Sequence, residues 1–182
     1  MQRSSGDNAR VFWPILIALV AADIATKAIA VSQLVPARMP HDVVGQYLRF
    51  TLVYNPGAAF GLHVGEHSRW VFTVLTIGAL LILGRLYVTA PKGDRLRVVA
   101  LAMVCGGAIG NLIDRLRPGS LGVVDFIDLG FGDARWPTFN VADIAVSLGA
   151  FLLAIVLWSE ERPEEAKVGI VPDLRHESTE AT

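Results

Sequence analysis

Cysteine is almost absent from this 182-residue chain. Cys105 stands alone, so an intrachain disulfide is impossible, and so is a zinc site built from several thiolates. Charge is scarce too. Asp, Glu, Lys and Arg make up 18% of the residues, against about 25% in an ordinary soluble domain. Neither sign dominates: 16 Lys and Arg stand against 17 Asp and Glu, a formal net charge of -1. The basic excess or stripe of a nucleic-acid-binding protein is missing, and no nucleic-acid partner is expected. Internal repeats and low-complexity tracts are missing as well. Apolar residues are what the chain has in plenty: 53% of the total, with a mean hydropathy of +0.49. That balance points to a membrane protein, and the length to one domain.

The apolar residues gather in four stretches, near 11–31, 69–89, 96–116 and 139–158. Each is long enough to cross a hydrocarbon layer of ~30 Å as a helix of ~20 residues. The first stretch also has the marks of a signal peptide. Arg3 and Arg10 precede a run of apolar residues, and Ala28-Ile29-Ala30 has the small-residue pattern of a cleavage site. Asp23 and Lys27, four residues apart and deep in the segment, argue for a permanent span instead. Residues 1–158 read as a single membrane-embedded domain. Residues 159–182, rich in Glu, Pro, Ser and Thr, read as a solvated and mostly disordered cytoplasmic tail.

Lysine and arginine near the helix ends set the expected orientation. Lys92, Arg95 and Arg97 crowd the very short loop between the second and third stretches. Both termini are therefore expected in the cytoplasm. The outer loop at 32–68 is too long for a plain connector. Within it Leu48, Phe50, Leu52 and Tyr54 alternate with Tyr47, Arg49, Thr51 and Val53, a period of two that predicts a short strand or hairpin at the membrane surface. NPGAAFG at 55–61 supplies turn chemistry after it.

A carboxylate at the centre of a membrane helix costs about 2.5–3.5 kcal/mol on insertion scales. Ionisable residues there are functional candidates by default. Asp23 lies in the first stretch, Asp114 and Arg115 in the third, Asp143 in the fourth. Asn111 and Asp114 are three apart, as are Asn140 and Asp143, so each pair shares a helix face. Ser147 continues the polar stripe on the fourth helix. Tracing the chain up and down through the membrane places Asp23, Asp114 and Asp143 toward one side of the bilayer, with Asn55 and Asp125 on outer loops at that same side. Gly106, Gly107 and Gly110 in GGAIG let helix backbones approach closely, and so fix where Asn111 and Asp114 point.

If the 126–138 segment folds back as a loop, Asp125 and Asp143 face each other at the membrane surface. Two acids in a poorly hydrated site share one proton, because desolvation and like charge oppose double ionisation. That is the working state of an aspartic protease dyad, which needs neither metal nor covalent intermediate. Spacing alone also suits proton-coupled transport or an ion site, and a structural or assembly role.

Five blocks carry a resemblance. Asp23-Ile-Ala-Thr-Lys27, NPGAAFG (55–61), GGAIGNLIDR (106–115), VVDFID (123–128) and FNVAD (139–143) resemble, in order and at similar spacing, the signature motifs of signal peptidase II, the bacterial lipoprotein signal peptidase family. The match spans most of 11–158. The resemblance implies a mainly α integral membrane fold of four transmembrane helices, with a small extracytoplasmic β-cradle and an outer-loop helix. It implies an inner-membrane aspartic endopeptidase that cleaves prolipoproteins just before a diacylglyceryl-modified cysteine. The family's catalytic aspartates match Asp125 and Asp143. Asp23, Lys27, Asn55, Gly57, Asn111, Asp114, Arg115, Asn140 and Ala142 match other motif positions, as substrate-binding or supporting residues. It implies no cofactor and no metal, with prolipoprotein substrates and membrane lipid as partners; a monomer is expected. Physically, Asn111, Asn140 and Arg115 suit orientation of carboxylates or substrate backbone. Asp114 is expected to pair with Arg115 or a helix end, Asp23 and Lys27 to tie the first helix to the outer loop, and Asn55 to hold substrate backbone.

Other features are read as structural. His63 and His67 have the spacing of zinc ligands but no HExxH surrounds them. Cys105 sits in an apolar run without a histidine partner, and packs. Trp13, Trp70, Trp136 and Trp158 read as an aromatic belt at the two interfaces.

Overall fold

A computed structural model describes residues 5–57 and 65–160. Four helices are long and apolar enough to cross a membrane: α1 (Ser5–Gln33), α2 (Ser68–Thr89), α3 (Arg95–Leu116) and α4 (Val141–Glu160). The chain is a multi-pass membrane protein. Part of NPGAAFG and His63 lie in 58–64, outside the described residues, as does the tail at 161–182; among the described residues the outer loop at 32–68 holds no further α-helix between α1 and α2. Next to that gap, Gly65–His67 forms a single 3-10 turn leading into α2.

α1 shows how lipid changes the rules for an amphipathic helix. Its buried stripe is Phe12, Leu16, Asp23, Lys27 and Ala30, while Trp13, Ile17, Ile24 and Ile29 are exposed. The polar residues face the protein and apolar ones face outward, the reverse of a soluble helix. α1 starts earlier than its apolar run, because buried Asn8 donates from Nδ2 to the Pro91 carbonyl (3.2 Å) at the α2–α3 loop. α3 is the central helix, buried along Val98, Leu101, Ala102, Cys105, Gly106, Gly110 and Asn111. Asp94 caps its start by accepting from Arg97 N at 3.1 Å. Arg97 also pairs with Glu160, tying α3 to the end of α4. Cys105 belongs to the apolar core with Phe12 and Leu16. All four tryptophans are exposed, as a belt requires.

Small residues set the helix spacing. A Cβ on Gly106 would meet Leu16 and Leu19 of α1, and one on Gly107 would press into Ala142 and Val146 of α4. Gly149 faces back from α4: a methyl there would lie 2.8 Å from Met103 Cβ and 2.9 Å from the Ala100 carbonyl oxygen. Gly149→Ala therefore forces α3 and α4 apart, and overpacking of this kind costs about 1–3 kcal/mol. A fall in the thermal midpoint of the detergent-solubilised variant is the expected result, and an unchanged midpoint would refute the tight packing.

Beyond one end of the helices lies a four-stranded antiparallel sheet in the order β1 (Pro40–Val44), β2 (Leu48–Asn55), β3 (Val123–Phe131), β4 (Ala134–Arg135). The alternation at 47–54 is β2. Asp125, expected on a loop, lies inside β3 opposite Val53, and Asn55 ends β2 opposite Val123. The 126–138 segment is thus a hairpin. Val124 and Phe126 pack with Leu52 on Ala30 and Leu34 at the end of α1, which seats the sheet directly on the bundle.

Candidate active site

Asn140 is the hinge of the site. Its side-chain Oδ1 accepts from Asp143 N at 3.0 Å, and Asp143 Oδ2 accepts from Asn140 N at 3.1 Å. This reciprocal capping box fixes the first turn of α4 and with it the Asp143 carboxylate. The Asn140 Nδ2 donates to Asp125 Oδ1 at 2.7 Å, so one fully buried asparagine holds both acids. Asp125 Oδ2 accepts from Asn55 Nδ2 at 3.1 Å, and Asn55 Oδ1 accepts from Gly57 N at 3.0 Å. Gly57 has φ 120°, and a Cβ there would crowd the backbone of Ser68 and Arg69, so only glycine fits the turn. Asn111 Nδ2 donates to Asp143 Oδ1 at 2.8 Å, and its Oδ1 accepts from Asn140 Nδ2 at 3.1 Å.

Behind these residues lies a buried ionic knot. Lys27 Nζ reaches Asp23 Oδ2 (2.7 Å), Asp114 Oδ2 (2.8 Å) and Asn111 Oδ1 (2.9 Å). Asp23 Oδ1 accepts from Ala142 N at 3.0 Å, and Asp114 Oδ2 from Val124 N at 3.2 Å. The knot therefore ties α1 to α3, to the first turn of α4 and to β3. Asp23 and Lys27 were expected to tie α1 to the outer loop, and Asp114 to meet Arg115 or a helix end. The bonds run instead to α3, α4 and β3, because the start of β3 lies against α1 and α3 and the first turn of α4 reaches Asp23. Ala142 is buried under Gly107 and Gly110, which leave no room for a larger residue.

Asp125 and Asp143 line one cavity of about 490 Å³, with Asn55, Asn111 and Arg115 as its other polar walls on this side. Ile144, Ser147 and Leu148 of α4 and the 136–139 segment complete it. Arg115 donates from Nη1 to the Asn111 carbonyl at 3.3 Å, and its guanidinium faces the cavity. Burial, reinforced by the nearby Asp143 charge, pushes the Asp125 carboxyl up from 3.8 to about 7. Asn55 and Asn140 pull it back only in part. A carboxyl that keeps its proton near neutrality beside a second acid suits general acid–base work.

Two contributors were not picked out from the sequence. Arg69, at the start of α2, donates to the carbonyls of Arg115 (2.6 Å), Arg117 (3.1 Å) and Ser120 (3.3 Å), and so caps the end of α3. Trp136 through Phe139 form a cavity wall by running beside β3. The Gly132-Asp133 pair between β3 and β4, with Gly132 at φ 53°, is a hairpin signal from which that wall was readable.

Four apolar helices, an antiparallel sheet at one end and two acids bridged by Asn140 between them define a polytopic membrane protein with an acid-lined cavity at the end of its spans. A sequence model of the family described as "Signal peptidase (SPase) II" matches residues 15–159. The lipoprotein signal peptidase of Burkholderia thailandensis is 40% identical over 156 residues, covering 84% of this chain and 90% of that one. The lipoprotein signal peptidase of Polynucleobacter necessarius is 41% identical over 124 residues, 66% of this chain and 72% of the relative. A solved bacterial membrane enzyme, determined at 2.3 Å, superposes with a TM-score of 0.71 at 30% identity, covering 84% of this chain and 90% of that one. The chain belongs to the signal peptidase II family.

Proposed function

We propose that this chain is an aspartic endopeptidase that removes the signal peptide from prolipoproteins, cutting before the diacylglyceryl-modified cysteine. The observation that carries the reading is Asn140 holding Asp125 and Asp143 together on one cavity wall. Asp125, whose carboxyl is pushed up to about 7 by burial, serves as the proton donor of the pair, and Asp143 as its base. As water attacks the scissile carbonyl, Asp143 takes a proton from it and Asp125 gives its proton to the carbonyl oxygen. When the resulting diol collapses, the proton on Asp143 passes to the leaving nitrogen and Asp125 recovers one from a diol hydroxyl. The products are a carboxylate-bearing signal peptide and a free amine on the modified cysteine. Asn55, Asn111 and Asn140 orient the acids, Arg115 faces the substrate backbone, and the Asp23–Lys27–Asp114 knot with Gly57 and Ala142 holds the frame.

The cavity is walled by apolar α4 residues as well as by the acids. A substrate carrying acyl chains gains ~0.8 kcal/mol per buried CH₂ on such a surface. Lys92, Arg95 and Arg97 lie at the end of the bundle opposite the acids. By the positive-inside rule this supports a reading with both termini in the cytoplasm and the site toward the extracytoplasmic face of the inner membrane. A proton-coupled carrier or a noncatalytic assembly factor is not favoured by the family. The test is incubation of purified protein with a diacylglyceryl-modified precursor and an unmodified control. Cleavage of the modified precursor alone is expected. Equal cleavage of both, or none, would overturn the reading.

A further inference from the structure

Asp125 is gripped from two sides, by Asn55 at the end of β2 and by Asn140 after the 136–139 segment. Those two segments flank β3, so the grip depends on how they are spaced. On the far side the pairing with 136–139 includes Pro137, which has no N–H to give. Trp136 N donates to Leu129 O (2.8 Å) and Phe139 N to Ile127 O (3.0 Å), on either side of that proline. An ion pair bridges the same strands further out. Arg135 donates to Asp128 Oδ1 from Nε (2.8 Å) and Nη2 (2.7 Å), to the Asp128 carbonyl (2.9 Å), and to the Gln46 carbonyl in the β1–β2 turn (2.6 Å). Thr51 of β2 donates to Asp128 Oδ2 at 3.1 Å. Both charged side chains are largely buried, at 19% and 12% exposure. Arg135 reaches Asp128 by folding over Gly130, where a Cβ would lie 2.8 Å from Arg135 Cδ.

We propose that Asp128 and Arg135 are a positioning pair for the cleavage reaction. By joining β2, β3 and β4 they set the spacing of the segments that carry Asn55 and Asn140, and so the placement of Asp125 against Asp143. The inference rests on the proposed peptidase activity. Neither side chain lines the cavity.

The experiment compares Arg135→Gln and Arg135→Lys with the wild type, per folded molecule, on a diacylglyceryl-modified precursor across pH. A displacement of about 1 Å at reacting groups can cost about 10²-fold in rate. Arg135→Gln is expected to lose kcat on that scale with KM changed by less than about threefold. Its alkaline activity limit moves to lower pH, because Asp125 is freed from Asp143 while Lys27 of α1 and Arg115 of α3 still favour its ionised form. Arg135→Lys, which keeps the charge without the fork, falls between the two. If Arg135→Gln does not fold, the lysine variant carries the test alone. An unchanged kcat, or a loss of kcat with an unmoved pH limit, would overturn the proposal. A wild type that cleaves no precursor overturns the peptidase reading and this inference together.

Discussion

Asp125→Asn is expected to abolish cleavage and, at alkaline pH, to make the protein more stable than the wild type. The two effects have one cause. In the folded protein the Asp125 carboxyl is pushed from 3.8 to about 7, first by burial and then by Asp143. Between those values the native state keeps a proton that the unfolded chain has released. Stability therefore falls as pH rises from about 4 to about 7, and the full cost stands above that. The rise corresponds to an upper bound of about 4 kcal/mol. Asparagine never ionises, so the variant avoids that cost, although its amide group meets the donors of Asn55 and Asn140 less well than a carboxyl does. Thermal midpoints at pH 5 and pH 8 give the check. The advantage of Asp125→Asn over wild type should be larger at pH 8, with no cleavage at either pH. A variant less stable by the same amount at both pH values would show that Asp125 carries no burial cost. Asp143→Asn is likewise expected to be inactive, with near-normal activity in either variant ending the dyad assignment.

The helices were legible because lipid demands long apolar runs. The expected 69–89 and 96–116 are Ser68–Thr89 and Arg95–Leu116. The fourth span was read two residues early at 139, because Asn140 and Asp143 were seen as a helix face and not as a capping box. β2 was readable from its period of two. β3 was not: Val124 and Phe126 face α1 while Asp125 faces the cavity, so apolar and acidic residues alternate without a solvent face. The motif blocks located the polar residues of the site, and their spacing gave the shared side of the bilayer. Their connections were hidden. Lys27 meets Asn111 across 84 residues of sequence, and Ala142 meets Asp23 across 119. Such contacts depend on which helices adjoin, and a helical period reveals only which face is polar. The Asp128–Arg135 bridge was hidden for another reason: two surface-type charges on a hairpin look solvated until the third strand is known to cover them.

Lys27→Met is expected to cause the largest loss of stability of any single change at the site. The lysine is the only cation bonded to Asp23 and Asp114 among the described residues. Asp23 and Lys27 are both almost fully buried. Methionine fills similar space but leaves two carboxylates, in a poorly hydrated region, with no cation bonded to them among the described residues, Arg115 acting on Asp114 only electrostatically. Breaking a buried ion pair from one side costs about 3–5 kcal/mol. The damage also spreads by direct bonds. Asp23 holds Ala142 N beside Asp143, Asp114 holds Val124 N beside Asp125, and Asn111 loses the donor that fixes its carbonyl oxygen. Loss of cleavage should accompany the fall in thermal midpoint. Adding Asp114→Asn to Lys27→Met should restore part of the midpoint, because it removes one of the two stranded charges. An additive further loss in the double variant would mean that the carboxylates find water or another partner, and that the knot is held by shape and not by charge.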